Sequence, residues 1–254
     1  MELELSENQH LHIHERPGDG PTVVLVHGWA VTGRVWSSVF ERWDGPERLL
    51  AVDLRGTGWS SKPRTGYTIQ AYSRDVIALI KHLDTPVVLV GHSMGGAIAQ
   101  WVASAVPDRI VKLVLVSPVP ASGAPMPDDV VTYLRSLAGH KEGVRSVITS
   151  MLHVQQPDGL EQMVQDCSTV AIEAYLEGLD AFRGANFADR LSAVTAPVHV
   201  MGGAKEQPLN PDVLKVAVVA AYPNATFEQI PGVGHYPHIE APDLFTSLLQ
   251  HAVR

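Results

Sequence analysis

The hexapeptide Gly91-His92-Ser93-Met94-Gly95-Gly96 places the tightest limit on what this chain folds into. It follows Val87-Val88-Leu89-Val90, a short apolar and mostly β-branched run, and precedes Ala97-Ile98-Ala99-Gln100-Trp101, which reads as the start of a helix. A serine flanked by glycines at −2 and +2 therefore sits at a strand-to-helix corner. The corner is tight, and a side chain at either glycine would collide with the neighbouring strand or helix. Such a turn pushes the Ser93 hydroxyl out of the sheet. It also aims the Met94 N–H, in the first helical turn, at the place where a substrate oxyanion would form.

The surrounding sequence fits a parallel sheet covered on both faces. Strands are predicted at Thr22–His27, Leu49–Leu54, Pro86–Val90, Val111–Ser117, Val198–Gly202 and Thr226–Ile230, after an antiparallel start at Glu2–Leu5 and His10–Glu15. Helices are predicted at Gly33–Trp43, Ile69–Leu83, Met94–Val106, Pro211–Ala221 and Pro242–Val253. Between Ser117 and Val198 the rhythm breaks for about 80 residues, far beyond an ordinary crossover of ~12. This stretch opens with Pro, Gly and Ser and continues with helical patterns at Asp128–Leu137, Glu142–Leu152, Asp158–Asp166 and Ser168–Leu179. The expectation is a core of residues 1–118 and 191–254, with residues 119–190 inserted as a helical lid. Such a lid would cover the carboxyl ends of the strands, where ligands bind in open α/β sheets. The alternative is a surface embellishment without a role.

A chain of 254 residues suits one such domain and needs no disulfide or metal to hold it. Cys167 is the only cysteine, so an internal disulfide is excluded, as suits the cytoplasm. The segment Met1–Glu7 is acidic and lacks a signal-peptide core, and no apolar run approaches the ~18 residues of a membrane span. A cytoplasmic location is expected. The formal charge of −8 argues against nucleic acid or an anionic membrane as partner. Oligomeric state is not readable.

An exposed serine needs a base. His235, in Pro231-Gly232-Val233-Gly234-His235-Tyr236-Pro237 after the last strand, is the candidate. His92 adjoins Ser93 but points elsewhere and reads as packing or polar lining near the corner, and His238 reads as a surface residue. A carboxylate must orient the base. Glu206 is the only one in the loop after the Val198 strand, and it puts serine, acid and histidine in a workable chain order. Its rivals are Asp212, read as a helix N-terminal residue, and an acid after the preceding strand, where Asp128 comes late. Glu206 also reads as a solvated surface glutamate or as half of an ion pair with Lys205. The turn His27-Gly28-Trp29 follows another strand, and the Trp29 N–H is the second oxyanion donor expected beside that of Met94. Trp29, Met126, Tyr133, Met151 and Tyr175, with Met163 and Phe182, are candidates for an apolar substrate pocket, although each is also an ordinary core residue. His10, His12 and His14 share one face of a strand. Three imidazoles can hold a metal, but no carboxylate or cysteine in the sequence completes a geometry, so no metal and no cofactor is expected.

With His27-Gly28-Trp29, Asp53-Leu54-Arg55-Gly56-Thr57-Gly58-Trp59-Ser60, the corner at Ser93 and Gly234-His235 in this order, the chain resembles the α/β-hydrolase family over nearly its whole length, in particular its small cofactor-free carboxylesterases and lactonases. The resemblance implies an eight-stranded, mostly parallel sheet and a serine hydrolase acting on a small ester or lactone. It also implies that the Asp53–Ser60 stretch is a structural turn. Glu206 stands where the family more often has aspartate. Relatives that open epoxides or displace halide carry an aspartate nucleophile, unlike Ser93, and carbon–carbon hydrolases often have asparagine where His92 stands. Other readings on the same fold are a carbon–carbon hydrolase, a lyase, a cofactor-free oxygenase, a slow-turnover receptor or a non-catalytic interaction protein.

Overall fold

A computed structural model of the protein describes residues 1–207 and 209–254. Strands β1 (Glu2–Ser6) and β2 (Gln9–Arg16) form a hairpin, followed by β3 (Thr22–Val26), helix α1 (Ser37–Arg42), β4 (Arg48–Val52), α2 (Ile69–His82), β5 (Val87–His92), α3 (Met94–Ala105) and β6 (Ile110–Val116). Four helices come next: α4 (Asp128–Ser136), α5 (Lys141–Met151), α6 (Leu160–Cys167) and α7 (Ile172–Arg183). The chain ends with β7 (Val198–Gly203), α8 (Pro211–Ala217), β8 (Thr226–Ile230), α9 (Pro237–Glu240) and α10 (Pro242–Val253). The strands lie in one sheet in the order β1-β2-β4-β3-β5-β6-β7-β8. The pairs β1–β2 and β2–β4 are antiparallel and the rest are parallel.

The Val/Leu-rich strands are buried on both faces, and the pleat sends alternate residues to two cores. Val24, Val26, Leu89 and Leu113 pack with Tyr72, Val76, Ile98 and Val102 of α2 and α3. Val23, Leu25, Val88, Val90 and Val114 pack with Trp36, Val39, Phe245 and Leu249 on the other side. Thr68 caps α2 by accepting the Ala71 N–H, and Asn210 caps α8 through the Asp212 and Val213 N–H groups.

Two predicted helices are shorter than the apolar periodicity suggests. Gly33–Trp36 is a 3₁₀ turn ahead of α1, and Val219–Ala221 is a 3₁₀ turn after α8. Among the described residues, no helix is long and apolar enough to cross a membrane.

Candidate active site

Strand β5 ends at His92 and α3 begins at Met94, so Ser93 forms the whole corner, with φ 54° and ψ −121°. A non-glycine residue with positive φ is strained and persists only where its surroundings dictate it. Here they do. A Cβ on Gly95 would run into the carbonyl oxygens of Val26 and His27, and one on Gly91 into that of Gly95. Helix α3 thus sits directly on the ends of β3 and β5. The Ser93 N–H donates to the Val116 carbonyl at 3.0 Å and the Ser93 carbonyl accepts the Val119 N–H at 3.0 Å. Among the described residues, the N–H groups of Met94 and Trp29 find no acceptor within the chain.

The turn bearing Trp29 is fixed from two sides. His27 donates through Nδ1 to the Gly28 carbonyl at 2.8 Å and accepts the Leu54 N–H on Nε2 at 3.1 Å. The Trp29 indole donates to the Tyr175 carbonyl at 2.8 Å. The Asp53–Ser60 segment is the structural turn the resemblance implies. Asp53 is fully buried and accepts the Gly33 and Trp59 N–H groups, while Arg55 forks onto Asp75 at 2.5 and 2.6 Å.

Glu206 is 1% exposed, so the solvated reading and the pair with Lys205 are both set aside. One carboxylate oxygen lies 2.6 Å from His235 Nδ1 and the other accepts the Ser117 hydroxyl at 2.6 Å. Gly203 lets the two loops meet, because a Cβ there would strike the Gly234 carbonyl oxygen. The rivals are remote from this arrangement: the Asp212 side chain is 93% exposed and pairs with Lys215, and Asp128 is exposed in the first turn of α4. Ser117, itself at φ 44°, carries no local sequence mark of a role beside Glu206. The one signal for it is its place just past the end of β6, which neighbours the strand β7 that leads to Glu206.

Two further residues hold the histidine loop. His92 Nε2 donates to the His235 carbonyl at 2.8 Å, consistent with a packing role. Glu240, buried at the end of α9, accepts four backbone N–H groups. Gly234 and Tyr236 come from the histidine loop, and His153 and Val154 from the chain just after α5, at 2.7–3.0 Å. The Met151 carbonyl accepts the His235 N–H at 3.0 Å. The inserted helices and the histidine loop are therefore tied at one point. Glu240→Ala strands two buried donors, of Gly234 and Tyr236, each costing about 1–3 kcal/mol if left unmade, and two half-buried ones, of His153 and Val154. A loss of at least ~3 kcal/mol is expected in urea unfolding, and a loss under ~1 kcal/mol would refute this account of the clasp.

His238 corrects the sequence reading. It is fully buried, not at the surface, because α9 tucks it against Trp36, with ring centroids 4.9 Å apart. Burial pushes the His238 imidazole down to about 3, His27 to about 4 and His92 well below the ordinary value of 6.5. These rings stay neutral in the folded protein while the unfolded chain takes up protons below about pH 6.5. Stability is complete above that pH and falls as pH drops towards 4. Each ring adds up to about 1.4 kcal/mol per pH unit to the slope. Urea titrations at stepped pH are expected to show this, and a stability constant from pH 7 to about 5 would contradict it.

Ser93 and His235 open onto one cavity of about 390 Å³. Trp29, Met126, Met151 and Phe182 line it with Val119, Pro125, Val130, Leu134, Val147, Leu209 and Tyr236, and none of its lining side chains carries a fixed charge. Three expected lining residues are elsewhere. Tyr133 is 53% exposed, because α4 turns Leu134 inward instead. Tyr175 is buried behind Trp29, its ring 4.4 Å from the indole and its hydroxyl donating to the Leu134 carbonyl. Met163 is buried in the core beneath the inserted helices.

The α/β-hydrolase family profile matches residues 23–248. The chain is 31% identical to a non-heme chloroperoxidase of Streptomyces lividans, over 90% of this chain and 91% of that protein. It is 28% identical to a pimeloyl-[acyl-carrier protein] methyl ester esterase of Pectobacterium carotovorum, over 90% and 93%. An esterase structure from Exiguobacterium antarcticum superposes with a TM-score of 0.87 at 23% identity, over 96% of each chain. The eight-stranded, mostly parallel sheet flanked by helices is thus the hydrolase fold. The chain belongs to the α/β-hydrolase family.

Proposed function

We propose that the protein is a serine hydrolase of small, uncharged, hydrophobic carboxylic esters or lactones. The reading is carried by the buried contact of His235 Nδ1 with Glu206, with His235 and Ser93 on the wall of one apolar cavity. Glu206 holds the imidazole with its proton on Nδ1, which leaves Nε2 free to act as base. His235 takes the Ser93 proton as the hydroxyl attacks the ester carbonyl. The oxyanion is held by the N–H groups of Met94 and Trp29, neither of which has another acceptor among the described residues. His235 then protonates the leaving alcohol, and water activated by the same ring releases the acid from the acyl-enzyme.

In this reading residues 119–190 act as the lid. Met126, Val130, Leu134, Val147 and Met151 come from it and line the same cavity as Ser93. The cavity offers an acyl chain or aryl group apolar contact and gives a sugar or phosphate no ionic partner. The name of the esterase relative supports the same chemistry.

The test is a panel of p-nitrophenyl esters from acetate to dodecanoate, with small lactones beside them. Turnover rising from acetate to medium-length acyl groups is expected. A folded protein that turns over no member of the panel would overturn the reading.

A further inference from the structure

The three histidines of β2 are not absorbed by the chemistry above. The side chains of His12 and His14 leave the same face of the strand, as residues two apart must. Asp53 follows the end of the neighbouring strand β4, and its N–H donates to the His12 carbonyl at 2.9 Å. A carboxylate far away in sequence thus supplies the third donor that the sequence itself did not offer. The donor atoms of His12, His14 and Asp53 all lie within 4.8 Å of one another, the one such group among the described residues.

We propose that His12, His14 and Asp53 bind a divalent first-row transition ion of the zinc class. The donor set of two imidazoles and one carboxylate suits such an ion, with the fourth position left to water. His14 Nε2 is buried, has no hydrogen-bond partner and faces Asp53 Oδ1 at 3.2 Å. A proton on His14 or a cation can bridge this contact, and only a cation also engages His12. The carboxylate is held in place: Oδ1 accepts the Gly33 N–H at 2.7 Å and Oδ2 the Trp59 N–H at 3.0 Å. Both oxygens keep a lone pair, and fixed outer partners of this kind orient metal ligands. Bonds of about 2.0–2.2 Å draw the three donors together by about 1 Å, a movement available to half-buried imidazoles. A surface depression lined by His14, Gly33, Arg34 and Trp59 gives the ion its approach. The bound ion would clamp the N-terminal hairpin to the turn after β4. None of these ligands lines the cavity that holds Ser93.

The test is a titration of the metal-stripped, full 254-residue chain with cobalt(II) chloride and then zinc sulfate. One Co²⁺ per chain is expected, with visible d–d absorption, displacement by Zn²⁺ and a raised melting temperature. Trp59 is 58% exposed, and its ring lies 4.7 Å from that of His12 and 5.4 Å from that of His14. Co²⁺ should therefore quench its fluorescence, and Trp59→Phe should remove the quenched component. His12→Gln and His14→Gln should each weaken binding at least ~10-fold. His10→Gln should leave it unchanged, because the His10 ring is already engaged by the Ser61 hydroxyl and the Trp59 carbonyl. Circular dichroism checks that each variant is folded. Three results overturn the proposal: no saturable one-to-one binding, binding that leaves Trp59 fluorescence untouched, or unchanged affinity in folded His12→Gln and His14→Gln, which places the ion at other histidines and leaves only a proton between His14 and Asp53.

Discussion

Ser93→Ala is expected to lower kcat/KM for the best ester of the panel by about a millionfold, the scale on which a triad nucleophile matters. The loss should fall on chemistry and not on folding. The corner conformation is imposed by Gly91, Gly95 and the ends of β3 and β5, and alanine meets the same φ of 54° that serine does. The hydroxyl is therefore the only thing removed, and the variant should melt within a degree or two of the parent. The N–H groups of Met94 and Trp29 and the apolar cavity remain, so it should still bind product acids or ester analogues. Turnover within tenfold of the parent would show that another group attacks the substrate. A collapsed melting temperature would instead show that the serine holds the corner together.

Glu206→Gln is expected to cost about ten-thousandfold in kcat/KM with little change in KM. The substitution keeps the shape and removes the charge. It also presents an amide N–H₂ that can face His235 Nδ1 and turn the ring into the tautomer whose Nε2 already carries a proton. The Ser117 hydroxyl can donate to either an amide or a carboxylate oxygen, so the loop has a partner in both proteins. Glu206→Asp keeps the charge and shortens the reach by one methylene. The gap opens from a contact of 2.6 Å, and a smaller loss of about 10–100-fold is expected. If the glutamine protein retained more than a tenth of parental kcat/KM, the carboxylate would not be orienting the base, whatever its distance.

The parts of the molecule legible in the sequence were those in which local pattern and tertiary demand coincide. The central strands are buried on both faces and read as Val/Leu runs. The corner at Ser93 needs glycine at fixed offsets, and α10 runs from Pro242 to Val253 as its apolar spacing predicts. The rest depended on where distant segments come together. His238 carries no local mark of burial, because it is α9 folding under α1 that hides it. Glu240 looks like any helix-terminal glutamate until four N–H groups from two segments converge on it. Tyr133 and Leu134 are adjacent, and only the rotation of α4 decides which faces the cavity. Asp53 and His14 are far apart in the sequence and 3.2 Å apart in space.

The joint at Glu240 and Met151 constrains anyone who recombines such proteins. Residues 119–150 carry much of the cavity wall, and most of their side chains are exchangeable for those of a relative with different taste in substrates. The stretch from Met151 to Val154 is not an ordinary exchangeable segment, since its backbone atoms fasten the loop that bears His235. A chimaera spliced upstream of Met151 should change selectivity and keep its rate. One spliced downstream should inherit the new pocket with a loosened base, and would be mistaken for an enzyme that had merely met the wrong substrate.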